Sequence, residues 1–287
     1  MIDVKDTDYI LHNVDPKDLK DARIFITGGS GFFGKWLTAT LKKVGIEFDV
    51  LSRTSTGTVQ GDVRSFCYPE KKYSDIIYMA SESDIRHTLE FARICDCKRF
   101  TFLSSGAVYG SLVSPPFSEE TQPLPNTMYG SQKYHAEKLL SDYAEFYRFD
   151  YKIIRAFSFV GAYMPLGWYT IGKFIKCVLE NKPIRYYDIG AIRSYMYIAD
   201  LIIWILTIHL NGHGIYNAGS EKSISIVELA TLIGDMYNLK VYEDNPPEKF
   251  EGILKYVPIT TKAQKKLGLK EGVGLEEAIR RTISSMC

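Results

Sequence analysis

The strongest indication of the fold is a glycine-rich segment near the N-terminus, Arg23-Ile-Phe-Ile-Thr-Gly-Gly-Ser-Gly-Phe-Phe-Gly34. It begins as a short apolar run, which is typical of a buried parallel strand when glycines bound it. The glycines follow as Gly28-x-x-Gly31-x-x-Gly34, and a helical apolar pattern comes next. Such glycines allow a tight turn and let the backbone approach a pyrophosphate. The stretch therefore predicts a dinucleotide-binding turn rather than a purely structural one. The residues expected at the cofactor are Gly28, Ser30, Gly31, Phe32, Phe33 and Gly34.

The chain beyond this turn alternates between short apolar runs and helical patterns. Strands are expected at 47–51, 75–79, 99–103 and 151–156, and helices at 33–44, 85–95 and 129–147. Alternation of this kind indicates βαβ units and a mostly parallel sheet. The predicted fold class is therefore α/β, a Rossmann-like doubly wound parallel sheet with a smaller mixed α/β substrate-binding domain.

The pattern changes after about residue 160, where proline and glycine become frequent and the elements shorten. Further helices are expected at 171–179, 200–209, 226–237 and 275–285, and strands near 184–187 and 195–197. We assign 1–22 to a polar N-terminal extension and 23–160 to the dinucleotide-binding domain, with 195–212 returning to it. Residues 161–287 form the predicted substrate domain.

Composition excludes several classes of protein. The 287 residues are 46% hydrophobic and 13% aromatic, with a formal net charge of +1. This apolar content argues against disorder, and the charge argues against nucleic-acid binding through a broad basic field. The longest apolar runs are too short for a membrane span, and the polar N-terminus has no signal core. We expect a cytoplasmic protein that binds neither nucleic acid nor membrane.

The cysteines predict no metal site. They are Cys67, Cys95, Cys97, Cys177 and Cys287, an odd number at irregular spacing. The Cys95-Asp-Cys97 pair is too tight for a zinc knuckle, and no second pair or histidine cluster accompanies it. We expect reduced thiols and no bound metal, with a redox or metal role as the alternative.

The end of the second predicted strand bears on the choice of cofactor. An acid there accepts from a ribose hydroxyl, whereas a base accommodates a 2′-phosphate. Here the strand ends in Ser52-Arg53, and Asp49 lies inside it. This pattern favours NADP(H) over NAD, and the alternative is that Arg53 is an ordinary surface residue. Asp62 and Val63 are placed to contact the adenine edge.

The spacing Tyr-x-x-x-Lys occurs four times, beginning at Tyr68, Tyr129, Tyr134 and Tyr169. In catalysis an ammonium one helical turn from a phenol lowers the phenol pKa and can hold the nicotinamide ribose. The chemistry also needs a serine at the carboxyl end of a central strand, where open α/β sheets bind ligands. Tyr129 and Lys133 come after such a strand, which Ser104-Ser105 follows directly. They are therefore the expected pair, and Tyr134 is expected to pack.

Five motifs occur in order along the chain. They are Thr27-Gly-Gly-Ser-Gly-Phe-Phe-Gly34, Leu103-Ser-Ser-Gly-Ala-Val-Tyr-Gly110, Met128-Tyr-Gly-Ser-Gln-Lys133, Arg193-Ser-Tyr-Met-Tyr-Ile-Ala-Asp200 and Tyr216-Asn-Ala-Gly-Ser220. Together they resemble the extended short-chain dehydrogenase/reductases, in particular the NAD-dependent epimerase/dehydratase group that acts on nucleotide sugars. The resemblance covers about residues 22–285.

This resemblance implies hydride transfer between NAD(P) and a sugar carbon. Tyr129 would be the acid/base, and Ser105 would hydrogen-bond the reacting oxygen. Lys133 would lower the pKa of Tyr129 and bind the nicotinamide ribose. Arg193 resembles the arginine that holds the diphosphate of the substrate, a role that suits a bidentate cation. A surface salt bridge is the alternative for Arg193. The resemblance adds cofactor contacts at Met79, Ala80 and Ser81 and substrate contacts at Ser105, Gly106, Ala107 and Ser158.

The sequence departs from the family pattern at several positions. Gly106-Ala107 stands where family dehydratases carry acidic residues, and elimination of water needs an acid and a base. Dehydratase activity is therefore disfavoured, and Glu82 is not expected to supply the missing carboxylate. Ser158 replaces the usual asparagine, which puts that phosphate contact in doubt. The segment 53–99 is shorter than usual, so we expect a more open site and an altered homodimer.

The sequence thus predicts an NAD(P)-dependent nucleotide-sugar epimerase or 4-ketoreductase acting on a nucleotide-diphosphate sugar. Ser52-Arg53 favours the reductase, and the ordinary epimerase-like Ser105-Gly-Ala favours the epimerase. The alternatives are a dehydratase or decarboxylase of the same family, or a non-catalytic NAD(P)-binding sensor or scaffold. Such non-catalytic relatives usually lose the tyrosine or the lysine, and both are present here.

Overall fold

The computed structural model describes residues 2–14, 19–54, 57–246 and 253–286. The strands are β1 (Ile24–Thr27), β2 (Phe48–Ser52), β3 (Val59–Gln60), β4 (Asp75–Tyr78), β5 (Arg99–Ser105), β6 (Asp150–Ala156), β7 (Phe159–Val160), β8 (Ile184–Tyr186), β9 (Ile192–Ser194), β10 (Met196–Tyr197), β11 (Gly214–Ala218), β12 (Ser223–Ser225), β13 (Val241–Glu243) and β14 (Lys255–Tyr256). The helices are α1 (Val4–Asn13), α2 (Phe32–Lys43), α3 (Arg86–Cys95), α4 (Met128–Tyr147), α5 (Thr170–Leu179), α6 (Ile198–Asn211), α7 (Ile226–Tyr237), α8 (Thr261–Leu267) and α9 (Leu275–Ser284).

A parallel sheet forms the centre of the protein. In the described ranges it has seven strands in the order β11-β6-β5-β4-β1-β2-β3. The chain runs outward from β1 to β3 and then returns to β4 on the other side of β1. This reversal leaves a crevice above the carboxyl ends of β1 and β4, where ligands bind in such sheets. The predicted α/β, Rossmann-like fold is confirmed.

Helices cover both faces of this sheet. Successive strand residues point to opposite faces, so Ile24 and Ile26 enter one apolar cluster and Phe25 enters the other. The first cluster includes Trp36 of α2 and Ile202 of α6, and the second is lined by α3 and α4. Because both faces are covered, β1 and β4 are buried along their whole length. No helix in the described part of the chain has the length and apolar character needed to cross a membrane.

The rest of the chain after β6 adds smaller sheets beside the carboxyl ends of the main strands. β7 pairs with β10, β8 pairs with β13, and β9 lies between β12 and β14. The helices α5 and α7 share the apolar cluster of α2 and α6. The strand β11 returns to the edge of the main sheet, where it pairs with β6. The return therefore extends past the predicted segment 195–212.

The structure differs from the sequence analysis in two further elements, one helix that was not predicted and one strand that is longer than predicted. The polar segment assigned to an N-terminal extension contains α1, whose Asp6 accepts hydrogen bonds from Tyr197 and Arg281. Ile10 of this helix is also buried in the apolar cluster of α2 and α6, but the polar residues around it left no apolar periodicity that would have revealed the helix. β5 also runs past the predicted 99–103 to include Ser104 and Ser105. In the described part of 53–99 one helix, α3, is present, as expected for a short segment.

Candidate functional site

The glycine turn joins β1 to α2 at the crevice. Gly28 has a φ of +74°, and a Cβ there would lie 2.6 Å from the backbone carbon of Met79. A Cβ at Gly34 would lie 2.2 Å from the carbonyl oxygen of Gly28. Gly31 is the N-cap of α2 and has no side chain to cap the first backbone N–H groups. The turn therefore leaves a surface that no side chain covers, and the first N–H groups of α2 can donate to an anion there.

The predicted cofactor residues after β4 lie against this turn. The backbone N–H of Ala80 is 2.7 Å from the position of a Cβ on Gly28, and it donates to Thr27 Oγ1 at 3.3 Å. Ser81 follows at an exposed position. The structure thus brings Met79 and Ala80 against the glycine turn, although about fifty residues separate them from it in the sequence.

The other predicted cofactor residues lie around the end of β2. Ser52 is buried and accepts from the Gly61 N–H through its carbonyl, while Arg53 is exposed. Ion pairing with Arg64 lowers the pKa of Asp62 to about 2, and the charge of Arg53 adds to this effect. Arg53 and Asp62 therefore share one rim. Arg64, which sequence reasoning missed, is the main partner of Asp62.

The predicted Ser–Tyr–Lys set meets at the carboxyl end of β5. Ser105 is the last residue of β5, and Tyr129 lies in the first turn of α4, whose N-cap Thr127 accepts from the Gly130 N–H. The buried Lys133 ammonium lies 5.9 Å from the centroid of the Tyr129 ring. The arrangement places a hydroxyl, a phenol and an ammonium side by side at the ligand-binding edge.

The electrostatics of Tyr129 and Lys133 differ from the sequence-based expectation. Desolvation of the Tyr129 hydroxyl raises its pKa, although the residue as a whole is 48% exposed and a hydrogen bond with Ser105 opposes the shift. Lys133 does not contribute to this shift, and its ammonium donates to the carbonyls of Ala80 and Leu103 at 3.4 and 3.2 Å. Burial also lowers the pKa of Lys133 to about 8.

A second phenol, missed by sequence reasoning, contacts the same serine. The Tyr256 hydroxyl lies 3.4 Å from Ser105 Oγ and 3.4 Å from the carbonyl oxygen of Ala156. Its ring packs against Phe157 with centroids 4.6 Å apart. No sequence motif or spacing relates Tyr256 to Ser105. The contact arises because β14 pairs with β9, and this pairing can be seen only in the structure. In that register Tyr256 is paired with Arg193.

Arg193 lies next to this phenol on the substrate side. Its Nη1 donates to the carbonyls of Ile192 and Leu254 at 2.8 and 2.7 Å, and burial lowers its pKa. Its positive charge lowers the pKa of Tyr256, which burial raises by a larger amount. The predicted Ser158 lies nearby, and its carbonyl accepts from the Met196 N–H. The structure therefore groups Arg193 with the serine and both phenols.

The position after the serine is sterically closed. A Cβ at Gly106 would lie 2.7 Å from Phe157 Cζ and 2.8 Å from the Tyr256 hydroxyl. The Ala107 N–H donates to Ser105 Oγ at 3.2 Å. Glu82, the other carboxylate near the crevice, accepts from two backbone N–H groups and lies 3.8 Å from Arg64. Neither position presents an unpaired acid to the site.

A cavity of about 570 Å³ lies at the opposite end of the sheet, bordered by Arg23, Lys42 and Asp49. The amino ends of β1 and β2 line it. Ligands of open α/β sheets bind at the carboxyl ends, so we assign the functional site to the crevice and not to this cavity.

Comparison with known proteins finds a matching family model and relatives that align with most of this chain. Residues 85–219 match the model of the NAD dependent epimerase/dehydratase family. The chain is 27% identical to a putative UDP-glucose 4-epimerase of Methanocaldococcus jannaschii, over 92% of this chain and 98% of that protein. It is 24% identical to UDP-glucuronic acid decarboxylase 1 of Arabidopsis thaliana, over 92% of this chain and 70% of that protein.

The fold is also similar to a solved structure, the UDP-glucose 4-epimerase of Thermus thermophilus in complex with NAD. The TM-score is 0.81 at 22% identity, and the match covers 92% of this chain and 98% of that one. A likeness at this identity establishes the architecture. The relatives carry out different reactions, so the reaction must be argued from the residues of the site.

Proposed function

We propose that this chain, a member of the NAD-dependent epimerase/dehydratase family of extended short-chain dehydrogenase/reductases, is an epimerase or 4-ketoreductase of a nucleotide-diphosphate sugar. The observation that carries the proposal is the grouping of Ser105, Tyr129 and Lys133 at the carboxyl end of β5. These groups can move a proton to or from a sugar hydroxyl beside the crevice.

The residues of the crevice fit a nicotinamide dinucleotide. The bare surface at Gly28 and Gly34 admits a pyrophosphate where a Cβ would collide with backbone. The first N–H groups of α2 favour its negative charge. Lys133 is held at the crevice by the carbonyls of Ala80 and Leu103, where its ammonium can bind ribose hydroxyls. When bound, the nicotinamide supplies the hydride acceptor or donor.

The protein's own residues then have distinct tasks. Ser105 donates a hydrogen bond to the reacting sugar oxygen, and Tyr129 takes the proton of that hydroxyl or returns it to the ketone. Burial raises the pKa of Tyr129, so the phenol needs the Lys133 ammonium and the Ser105 hydroxyl to stabilise its anion. Arg193 is oriented by two carbonyls and binds the diphosphate.

The contacts around Gly106 favour epimerisation or reduction over dehydration. Phe157 and the Tyr256 hydroxyl fill the space that an acidic side chain at 106 would enter. Elimination needs a second acid/base pair, and Glu82 is engaged by Arg64 and backbone N–H groups. Arg53 at the adenosine rim favours the reductase with NADPH, which is the second candidate.

A screen of UDP-, GDP-, CDP- and dTDP-sugars with the purified protein tests the proposal. Interconversion of two sugar nucleotides without NADPH consumption identifies an epimerase, and NADPH oxidation by a 4-keto sugar nucleotide identifies a reductase. Tyr129→Phe should lower kcat about 100-fold or more. The matched control is Tyr134→Phe on the same helix, which should retain activity. Equal activity of the two variants would show that Tyr129 is not the acid/base.

A further inference from the structure

A buried ion pair lies one helical turn below the proposed catalytic lysine. Glu137 of α4 and Arg155 of β6 are each 2% exposed. Arg155 Nη2 donates to Glu137 Oε2 at 2.7 Å, and Arg155 Nε lies 3.1 and 3.2 Å from the two carboxylate oxygens. A forked guanidinium–carboxylate pair of this kind fixes orientation as well as charge.

The pair is completed by hydroxyl groups from two other elements. Ser104 of β5 donates to Glu137 Oε1. Arg155 Nη1 donates to the Tyr109 hydroxyl at 3.0 Å, and Tyr109 donates to Asn217. The buried charges are therefore satisfied, which a buried ion pair needs in order to be tolerated. Since Ser104 adjoins Ser105, the carboxylate ties α4 to the end of the strand that carries the proposed catalytic serine.

Glu137 also shares a helix face with Lys133, because residues four apart on a helix are neighbours. The groups facing the Lys133 ammonium are Tyr129 and Glu137 from α4, the Leu103 carbonyl and Phe102 ring from β5, and the Ala80 carbonyl and Glu82 from the segment after β4. Burial lowers the pKa of Lys133, and the negative charges of Glu137 and then Glu82 oppose this. Glu82 is more exposed and faces Arg64, so Glu137 is the main buried counter-charge.

We propose that Glu137 is a positioning residue, which with Arg155 sets α4 against β5 and keeps Lys133 in its ammonium form. Its catalytic consequence rests on the proposed function, because it concerns the alignment of Tyr129 and Lys133 with Ser105. Its effect on the protonation of Lys133 is a property of the protein alone. A pair that served only stability would leave the protonation of Lys133 unchanged.

The test follows the Lys133 Nζ signal by NMR against pH in protein labelled with ¹⁵N-lysine, with Lys133→Met for assignment. In the wild-type protein the midpoint should lie near the pKa of about 8. In Glu137→Gln, which keeps the size of the side chain, the midpoint should fall by about half a pH unit or more. The matched control is Asp75→Asn, which removes a buried, paired carboxylate at the amino end of β4 and should leave the midpoint unchanged.

Two outcomes would overturn the proposal. One is a folded Glu137→Gln protein whose Lys133 midpoint equals that of the wild type, and the other is an equal shift in Asp75→Asn. If Glu137→Gln does not fold, the midpoint is followed in Glu137→Gln/Arg155→Gln. A smaller fall is expected there, because the loss of the Arg155 charge partly offsets the loss of the nearer Glu137 charge; a midpoint that rises above the wild-type value would overturn the proposal. Activity is read separately: the alkaline limb of the kcat profile should move to lower pH in Glu137→Gln. If no nucleotide sugar is turned over, the proposed function fails while the NMR result still decides the role of Glu137.

Discussion

The Tyr256 hydroxyl lies 3.4 Å from Ser105 Oγ, although 151 positions separate the two residues. Tyr256 belongs to β14, which enters the site from the far end of the chain and pairs with the strand that carries Arg193. The same phenol, together with Phe157, closes the space beside Gly106. The C-terminal part of the chain therefore shapes the pocket at the very serine that the main sheet presents.

Replacing Tyr256 by phenylalanine removes this contact and keeps the ring packing on Phe157. We expect kcat/KM to fall about fivefold, the typical worth of one hydrogen bond, because the Ser105 hydroxyl loses a neighbour that orients it. Steady-state kinetics measures the change, and urea denaturation should give nearly the wild-type stability. The control is Tyr187→Phe at an exposed tyrosine. Equal kinetics in the two variants would contradict an orienting role for Tyr256.

Gly106→Ala tests the steric closure next to the serine. The added Cβ would lie within 2.8 Å of the Phe157 ring and the Tyr256 hydroxyl, so one of them must move. Overpacking of this size should lower the free energy of unfolding by about 1–3 kcal/mol, measured by urea denaturation. Gly167→Ala is the control, because a Cβ at Gly167 would meet no described atom within 4 Å. A Gly106→Ala protein as stable as this control would mean that the pocket has room for a side chain.

The parts of the molecule that could be predicted from sequence are those governed by local patterns. The glycine turn at Gly28 and the alternation of strands and helices follow from neighbouring residues, and the Ser105–Tyr129 grouping follows from the resemblance and the strand end. Tyr256 and the helix α1 could not be predicted in this way. Tyr256 reaches the site only through the pairing of β14 with β9, and the polar contacts of α1, such as that of Asp6 with Arg281, join residues that are distant in the sequence.

Arg53→Gln tests the preference for NADP(H). Arg53 is exposed at the end of β2, on the same rim as Asp62, whose charge is largely compensated by Arg64. If Arg53 binds the 2′-phosphate, its loss should weaken NADPH binding roughly tenfold and leave NADH binding unchanged. Fluorescence titration with both cofactors measures this, with exposed Arg148→Gln as control. Tighter binding of NADH than NADPH by the wild type would contradict the preference directly.

His209 should make the stability of the protein depend on pH. It is fully buried, with Nε2 3.0 Å from Asp75 Oδ1 and Nδ1 2.8 Å from Thr101 Oγ1, and burial lowers its pKa despite the Asp75 carboxylate. A lowered pKa means that the unfolded chain binds the proton more readily, so stability is present above pH about 6.5 and declines below it. In His209→Gln the urea midpoint should change less between pH 7.5 and 5.5 than in the wild type. The control is His135→Gln at an exposed position of α4, and an unchanged slope in both variants would contradict the role of His209.

The N-terminal helix should contribute stability through one buried carboxylate. The Tyr9 hydroxyl donates to Asp200 Oδ1 at 2.6 Å, while Oδ2 accepts from the N–H groups of Gly272 and Val273 at 3.2 and 3.0 Å. Burial raises the pKa of Asp200, and the bond from Tyr9 opposes this by stabilising the charged form. Tyr9→Phe should therefore lower the free energy of unfolding by about 1–2 kcal/mol at pH 7.5.

The pH dependence of the stability of Tyr9→Phe shows whether the bond acts through the charge of Asp200. The folded protein without the Tyr9 hydroxyl holds the Asp200 proton more tightly, so the loss of stability in Tyr9→Phe should shrink as the pH falls and Asp200 becomes protonated. Urea denaturation at pH 7.5 and 5 measures the difference, with the exposed Tyr242→Phe as the control. A loss of equal size at both pH values would mean that the contribution of the Tyr9 hydroxyl does not depend on the charge of Asp200. A loss confined to higher pH would mean that the charged Asp200 carboxylate, through its bond with Tyr9, helps to hold α1 against the rest of the fold.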